Sequence, residues 1–260
     1  MGTIRKVSIS IGFVGKWKPF EYKGCETGSM ETQSSPVVAA FDLDGTLTEG
    51  GSVFDWLKSI AGRGRTWRAA LSLAVPLTIG ALRSSRWADN AKERLFKKLL
   101  AGIDEQVVIA ASRTFAVHHL ETESRQLLLD RLAWHRDQGH DVVIVSASPQ
   151  VYVDVMTELL GAQGGLGTRL AVDPRRRLTG GYLGKNCRGT EKLRRLDEWV
   201  QSRRYPTPPV IFAYGNSRGD RRMLRGATYP FNVGKLGRLG SLRRFPRLKA
   251  TPEEAALNEA

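Results

Sequence analysis

An apolar run that ends in two closely spaced aspartates restricts the fold more than any other part of this chain. Val37-Val-Ala-Ala-Phe-Asp42 has the length and apolar content of a strand buried on both faces, as in parallel sheets. The run continues into Leu43-Asp-Gly-Thr-Leu-Thr48, whose glycine and polar residues indicate a turn. Ligands of open α/β sheets bind at the carboxyl ends of the strands, so we expect Asp42 and Asp44 in a ligand crevice.

Three later segments repeat the strand pattern. Asp141-Val-Val-Ile-Val-Ser146 and Val210-Ile-Phe-Ala-Tyr214 are apolar runs of strand length, and Tyr229–Val233 predicts a fourth strand. Helical patterns alternate with them: one opens at Pro149, one covers Gly189 to about Arg203, and a short one covers Ser217–Leu224. Arg169–Leu183 predicts a hairpin that turns near Gly180-Gly181. The alternation predicts an α/β fold with a doubly wound, mainly parallel, Rossmann-like sheet.

The chain between the first two strands is almost entirely helical in pattern, and it is long enough to form a separate cap. We therefore expect an inserted α-helical cap at 53–138 and an α/β core made of 36–52 and 139–250. Residues 1–35 lack this periodicity, so we expect a disordered extension there, with the working protein beginning near Met30. Residues 251–260 are expected to form a tail.

The composition points to an anionic partner. The net charge is +14, and ten Lys or Arg against two acids fall between Lys58 and Lys98. The apolar run Ala69–Leu82 lies within this stretch, but its 14 residues are too few to span a bilayer. A basic, apolar cap suits peripheral contact with an anionic membrane, although the run could equally pack inside the cap. RNA binding is not expected, because few aromatic residues are interleaved with the basic runs.

Cysteine usage indicates the compartment. Cys25 and Cys187 fit neither a disulfide framework nor a metal motif, which is typical of a reduced, cytoplasmic protein. No small-residue cleavage site follows the apolar stretch near the start of the chain, so a signal peptide is not expected. We expect a cytoplasmic protein that touches the inner face of the membrane peripherally.

Two carboxylates one residue apart repel each other, and a hard divalent cation with oxygen ligands would neutralise them. Mg²⁺ would leave one of the carboxylates free to attack phosphorus. A turn with capping aspartates is the less favoured alternative. A helix-loop-helix calcium site is excluded, because the third oxygen ligand before the glycine and the distal Glu are both missing.

Four motifs in order resemble the haloacid dehalogenase superfamily of phosphohydrolases over residues 36–233. Phe41-Asp-Leu-Asp-Gly-Thr-Leu-Thr48 is similar to its first motif, and Ser146 ends the second strand as in its second. Lys192, in Cys187-Arg-Gly-Thr-Glu-Lys192, and Gly215-Asn-Ser-Arg-Gly-Asp220 are similar to the third and fourth. A helical cap between the first two motifs resembles subclass IB, which contains phosphoserine and phosphatidylglycerophosphate phosphatases.

The resemblance implies a role for each matching residue. Asp42 would attack phosphorus to form an aspartyl-phosphate, Asp44 would act as general acid and then general base, and Lys192 would stabilise charge. Phosphoryl oxygens would be held by hydroxyl and backbone N–H groups of Ser146, Ala147 and Thr46. Mg²⁺ would be the cofactor, held by Asp42, Asp44, Asn216 and Asp220. The family usually has Asp at the position of Asn216, so the neutral amide is expected to weaken metal binding.

The substrate is less constrained than the reaction. Phosphoserine phosphatases carry a Glu nine residues after the nucleophile, where this chain has Gly51. The basic cap and the segments Val145–Pro149 and Asn186–Lys192 look more like the branch that acts on lipid phosphates. A lipid phosphate, a soluble phosphoserine-like substrate, and a non-catalytic basic module that binds lipid or RNA therefore remain as three hypotheses.

Overall fold

The structure, a computed structural model, describes residues 35–73, 85–235 and 240–248, which lie within one compact unit. Most of the expected N-terminal extension, with Met30, and the expected tail at 251–260 fall outside the described residues. So does the second half of the apolar run Ala69–Leu82, of which the structure describes Ala69–Leu73.

A five-stranded parallel sheet forms the centre of the molecule and confirms the predicted fold class. Its order is β3-β2-β1-β6-β7, and each neighbouring pair is parallel. The strands are β1 Val37–Phe41, β2 Asp141–Pro149, β3 Gly164–Thr168, β6 Val210–Gly215 and β7 Tyr229–Asn232. A separate antiparallel pair consists of β4 Leu170–Val172 and β5 Leu178–Tyr182.

Helices cover the sheet and fill the insertion between β1 and β2. The described α-helices are α1 Val53–Ala61, α2 Arg63–Ser72, α3 Ser85–Leu100, α4 Glu105–Glu123, α5 Gln126–Asp137, α6 Gln150–Leu160, α7 Thr190–Ser202 and α8 Arg221–Gly226. A 3₁₀ turn at Arg218–Asp220 precedes α8. The first five helices lie between β1 and β2, as the sequence predicted for the insertion.

Strand β1 is buried between two apolar layers because its side chains alternate between the faces of the sheet. Ala39 and Phe41 belong to the larger cluster, with Trp56, Phe96 and Tyr152, which joins the sheet to helices of the insertion. The residues of β1 on the other face join a second cluster around Met223 and Leu224. Burial on both faces explains why the sequence of the strand is a continuous apolar run.

Helix α5 packs directly on the sheet. The Nε2 atom of His135 lies 2.8 Å from the hydroxyl of Tyr214 on β6, and its Nδ1 lies 2.8 Å from Nδ1 of His140. Phe41 stacks on Tyr214 with ring centroids 4.4 Å apart. The last helix before β2 therefore packs on the face of the sheet that carries Phe41 and Tyr214, and the division of the chain into a core and a cap at 53–138 stays a prediction.

Strand β3 was not predicted from the sequence, because Gly164-Gly-Leu-Gly-Thr168 lacks the branched residues typical of strands. Its glycines allow close packing instead. A Cβ on Gly164 would lie 2.4 Å from Nε1 of Trp199, and one on Gly167 would lie 2.7 Å from Cα of Gln150. The strand forms where helices α6 and α7 approach its backbone too closely for side chains.

The predicted hairpin exists, but its turn is elsewhere. The chain turns at 173–177, where the carboxylate of Asp173 accepts the N–H groups of Arg175 and Arg177 at 2.9 Å each. Gly180 lies inside β5 with a φ of +75°, and a Cβ there would lie 2.4 Å from Cα of Lys97 on α3. The expected turn near Gly180 was therefore wrong, because that glycine is needed for the close approach of β5 to α3.

Among the described residues, no helix is long and apolar enough to cross a membrane. Ala69 and Leu73, both in the apolar run, are buried, whereas Leu71 is 69% exposed and Trp67 is 50% exposed. Part of the run thus packs inside the molecule, while α2 presents two large apolar side chains on its surface.

Candidate active site

The site lies at the carboxyl ends of β1, β2 and β6. The N–H of Asp42 donates to the main-chain oxygen of Tyr214 at 3.0 Å, which extends the pairing of β1 and β6 by one residue. Asn216 follows β6, and Ser146 lies on β2. Parallel strands thus bring residues from distant parts of the sequence to one edge of the sheet.

Asp42 is buried and both of its carboxylate oxygens are held. Lys192 Nζ lies 2.5 Å from Oδ1, and the hydroxyl of Thr46 donates to Oδ2 at 2.9 Å. Burial, and next the charge of Asp220, raise the pKa of Asp42, while the ammonium of Lys192 opposes both. Each oxygen has a second lone pair, so the carboxylate is fixed in orientation and still able to attack.

Lys192 lies between two carboxylates with 1% of its surface exposed. Its Nζ is 2.6 Å from Oδ1 of Asp220 as well as 2.5 Å from Asp42. Burial opposes the charge of this ammonium, but Asp220 and Asp42 outweigh it and raise the pKa of Lys192, which therefore stays charged. Helix α7 supplies the lysine from its first turn.

Asp220 organises the loop after β6. Its Oδ2 accepts the N–H of Asn216 at 3.2 Å and both the N–H and the hydroxyl of Ser217 at 2.9 Å. Its Oδ1 faces Lys192. Both oxygens are thus committed to protein donors, and the capping box formed with Ser217 begins the 3₁₀ turn.

Asp44 directs its carboxylate and its main-chain oxygen to different partners. Oδ1 accepts the N–H of Ser52 at 2.8 Å, and Oδ2 accepts the hydroxyl of Ser148. The main-chain oxygen of Asp44 lies 3.1 Å from Nδ2 of Asn216. Between these groups Gly45 has a φ of +78°, and a Cβ there would lie 1.9 Å from Nδ2 of Asn216. Only glycine allows this approach of the two loops.

The three substrate-binding candidates differ in which of their polar groups already bond to other protein groups. Ser146 is buried, and its Oγ accepts the N–H of Ser148 at 3.0 Å, so its own hydrogen remains available. The main-chain oxygen of Ala147 is occupied by Lys92 and Thr168. The hydroxyl of Thr46 donates to Asp42, and its N–H donates to the main-chain oxygen of Leu43 at 3.1 Å. Thr46 therefore orients Asp42 in this structure.

One network joins the candidate residues. Hydrogen bonds run from Thr46 to Asp42, Lys192, Asp220, Asn216, Asp44, Ser148 and Ser146, with Ala147 covalently between the last two. The structure thus brings together all the residues that the sequence placed in the site. Ser52 and Ser148 were given no role from the sequence, although Ser148 lies within the segment Val145–Pro149, two residues after Ser146.

Lys92 is a further residue that the sequence did not indicate. It extends from α3, and its Nζ donates to the main-chain oxygen of Ala147 at 2.6 Å. Burial lowers the pKa of Lys92 to about 8, while Asp44 and Asp89 act in the opposite direction. Asp89, on the same helix, accepts a hydrogen bond from Asn186 at 2.6 Å. Only the tertiary structure brings this helix to the end of β2.

The donor atoms in the site fit a magnesium ion. Among the described residues, no cluster of three or more His, Cys, Asp or Glu side chains could hold a metal. The oxygen set instead combines the carboxylate of Asp42, the main-chain oxygen of Asp44 and the amide of Asn216, all hard ligands. Asp42 and Asp220 both pair with the single ammonium of Lys192, so a divalent cation beside Asp42 would balance the remaining negative charge.

The family model of haloacid dehalogenase-like hydrolases matches residues 39–225. The chain is 33% identical over 198 residues to the protein CicA of Caulobacter vibrioides, and the alignment covers 76% of this chain and 85% of that protein.

Two solved structures show the same fold. A protein of unknown function from Bordetella pertussis Tohama I matches with a TM-score of 0.69 and 20% identity, over 84% of this chain and 100% of that chain. A substrate-bound phosphoserine phosphatase matches with a TM-score of 0.57 and 16% identity, over 87% of this chain and 99% of that chain. At these identities the likeness concerns the fold.

Proposed function

Since the chain belongs to the haloacid dehalogenase-like hydrolase family, we propose that it is a magnesium-dependent phosphomonoesterase that forms an aspartyl-phosphate on Asp42. The observation that carries the proposal is the setting of Asp42. This carboxylate is buried at the carboxyl end of β1, oriented by Thr46 and neutralised by Lys192 at 2.5 Å. A carboxylate held in this way is prepared for one attack geometry.

In the first half of the reaction, a carboxylate oxygen of Asp42 attacks phosphorus and the bond to the leaving oxygen breaks. Asp44 transfers a proton to that oxygen, so the product leaves as an alcohol. Lys192 and the hydroxyl of Ser146 stabilise the negative charge on the phosphoryl oxygens, which is most of what phosphoryl transfer requires. Two easier steps thus replace one difficult displacement.

In the second half, water attacks the phosphorus of the aspartyl-phosphate. Asp44, now a carboxylate, takes a proton from that water, and the bond between phosphorus and Asp42 breaks to release phosphate. Bound Mg²⁺ would neutralise charge on the phosphoryl group; Asp42, Asn216 and the main-chain oxygen of Asp44 would hold it. We assign Asp220 to ordering the loop, because its oxygens are committed to protein donors.

The test is a phosphatase assay with trapping of the intermediate. The wild-type protein is incubated with Mg²⁺ and a panel of phosphomonoesters, quenched in acid, and examined by intact-mass spectrometry for one added phosphoryl group. Asp42→Asn should remove both turnover and the added mass, while Asp137→Asn, an exposed aspartate at the end of α5, should change neither. Full turnover by Asp42→Asn would disprove the covalent mechanism.

The helix α2 favours a lipid phosphate over a soluble substrate. Trp67 and Leu71 are exposed, and Arg63, Arg65 and Arg68 are exposed on the same helix, which carries no acidic residue. The cations of such a surface attract anionic lipid headgroups. Its apolar side chains can insert at the boundary between the headgroups and the acyl chains. A soluble phosphoserine-like substrate is the alternative. Turnover of no phosphomonoester in the panel would instead support a non-catalytic basic module.

A further inference from the structure

The carboxylate of Asp44 is held by two protein donors that come from different parts of the chain. Ser52, directly before α1, donates its N–H to Oδ1 at 2.8 Å, and Ser148, on β2, donates its hydroxyl to Oδ2. Both serines are fully buried. The two donors are therefore shielded from water, while Asp44 itself is half-buried, and hydrogen bonds to a charged group are stronger than those to a neutral one.

The orientation of Ser148 is determined on both sides of its side chain. A serine hydroxyl has a single hydrogen, and the geometry directs it to Asp44. The N–H of the same residue donates to Oγ of Ser146 at 3.0 Å. Ser148 is thus placed between a candidate phosphoryl ligand and the candidate general acid, and it contacts both.

We propose that Ser148 is the positioning residue of the general acid, and that it acts by stabilising the charge that Asp44 acquires when it protonates the leaving group. The inference rests on the proposed function of this same site. Asp44 begins the step with a proton on one carboxyl oxygen. The proton passes to the leaving oxygen as the phosphorus–oxygen bond breaks, and Asp44 becomes a carboxylate.

The two donors to Asp44 therefore gain strength as the reaction proceeds. Each carboxyl oxygen accepts one hydrogen bond and keeps a second lone pair for the proton. Hydrogen bonds to an ionised carboxylate are roughly twice as strong as those to a neutral group. An interaction that is stronger in the transition state than in the ground state raises the rate.

This role depends on the leaving group. An alkyl alcohol leaves poorly without a proton, so hydrolysis of an alkyl phosphate relies on the general acid. The 4-nitrophenolate anion leaves readily without one, and 4-nitrophenyl phosphate relies on the acid much less. Loss of the Ser148 hydroxyl should therefore change the preference of the enzyme between these two substrates.

The experiment compares kcat/KM of Ser148→Ala on glycerol 3-phosphate and on 4-nitrophenyl phosphate, at saturating Mg²⁺. We use kcat/KM because it reports the steps up to departure of the leaving group. We expect a decrease of about 10- to 100-fold on the alkyl ester. On the aryl ester we expect a change of less than about threefold, since little proton transfer is needed there.

Thr46→Val provides the matched control. Thr46 is also fully buried and also gives its hydroxyl to a catalytic carboxylate, but that carboxylate is the nucleophile Asp42. Its loss should reduce kcat/KM on both substrates by the same factor. A double-mutant cycle adds a second readout: Ser148→Ala should have no further effect in an Asp44→Asn background, because the two residues act as one unit.

Equal losses on both substrates in Ser148→Ala, or full additivity with Asp44→Asn, would overturn the inference. If Ser148→Ala does not fold, as judged by thermal melting, Ser148→Cys replaces it: the weak S–H donor should shift the substrate preference in the same direction. Failure of the proposed function gives a different result, since the wild-type protein would then hydrolyse neither ester.

Discussion

The side-chain amide of Asn216 lies 3.1 Å from the main-chain oxygen of Asp44, across a glycine that has no room for a Cβ. The loops after β1 and β6 therefore meet through a neutral group. An acidic residue at position 216 would add a further negative charge to a site that already contains Asp42 and Asp220. The amide keeps residue 216 of the proposed metal site neutral, and its N–H group makes the contact between the two loops.

Asn216→Asp should tighten Mg²⁺ binding about tenfold, because one more carboxylate attracts the ion at a half-buried position. The measurement is calorimetric titration of the protein with Mg²⁺, supported by the Mg²⁺ dependence of turnover. Gln138→Glu adds the same charge on an exposed residue before the start of β2, at the opposite edge of the sheet, and should leave the affinity unchanged. An unchanged dissociation constant in Asn216→Asp would place residue 216 outside the ligand set.

Lys192→Met should abolish turnover and lower the free energy of unfolding by about 3–5 kcal/mol, because it leaves two buried carboxylates without their cation. Urea unfolding measures the change. Adding Asp220→Asn removes one of those carboxylates and should restore at least about 1 kcal/mol of the loss.

Arg203→Met is the control, because it removes an ion pair at the surface and not a buried one. Arg203 pairs with Asp141 at 3.2 Å on the exposed surface, and its replacement should cost less than about 1 kcal/mol. If Lys192→Met and Arg203→Met lowered the free energy of unfolding by similar amounts, burial would not explain the importance of Lys192.

The stability of the protein should fall as the pH drops below about 6.5, the ordinary pKa of histidine. Burial, and then the neighbouring His140, hold the pKa of His135 well below that value, so His135 stays neutral in the folded state while the unfolded chain takes up a proton. The contribution is complete above pH 6.5 and is lost by up to about 1.4 kcal/mol per pH unit below it.

His135→Gln tests this dependence, because glutamine can still bond to the Tyr214 hydroxyl but does not titrate. Urea unfolding at several pH values between 8 and 5 should give a shallower fall for the variant than for the wild-type protein. Parallel pH profiles would show that another group causes the acid sensitivity.

Leu71→Ser combined with Arg65→Gln should weaken binding to anionic vesicles by at least tenfold, because it removes one exposed apolar side chain and one cation from α2. Sedimentation with vesicles of anionic or zwitterionic lipid measures the binding. Hydrolysis of a soluble phosphomonoester should be unaffected. Val107→Ser is the control, because Val107 is an apolar residue on α4 that is 57% exposed. No binding of the wild-type protein to anionic vesicles at low salt would exclude the membrane contact.

The central strands could be predicted from the sequence because a strand buried on both faces is a continuous apolar run. Strands β1, β2 and β6 are apolar runs bounded by turn residues, and the structure confirms all three. Strand β3 has no such pattern. Its glycines are required because Trp199, far away in the sequence, and Gln150, at the start of the preceding helix, lie too close to its backbone for side chains. A signal that depends on a neighbour in space is not visible in a linear pattern.

The same distinction applies to the site. Asp42 and Asp44 could be singled out because their spacing on one short turn is unusual, and that turn follows a buried strand. Lys92 and Ser52 could not, because their relation to the site depends on how the inserted helices return to the sheet. Ser148 could have been found by asking which hydroxyls near Ser146 point to the same crevice, since residues two apart in a strand share a face.

The position of Gly180 against Lys97 sets a limit on attempts to shorten this protein. Strand β5 belongs to the second half of the chain, yet it lies on α3, and Tyr182 contacts Phe96 there with ring centroids 6.1 Å apart. The N–H of Leu178 also donates to the main-chain oxygen of Ile103 at 2.8 Å. A minimal hydrolase made by deleting the insertion would expose the surface of the hairpin, so a soluble design has to remove or redesign the hairpin together with the helices.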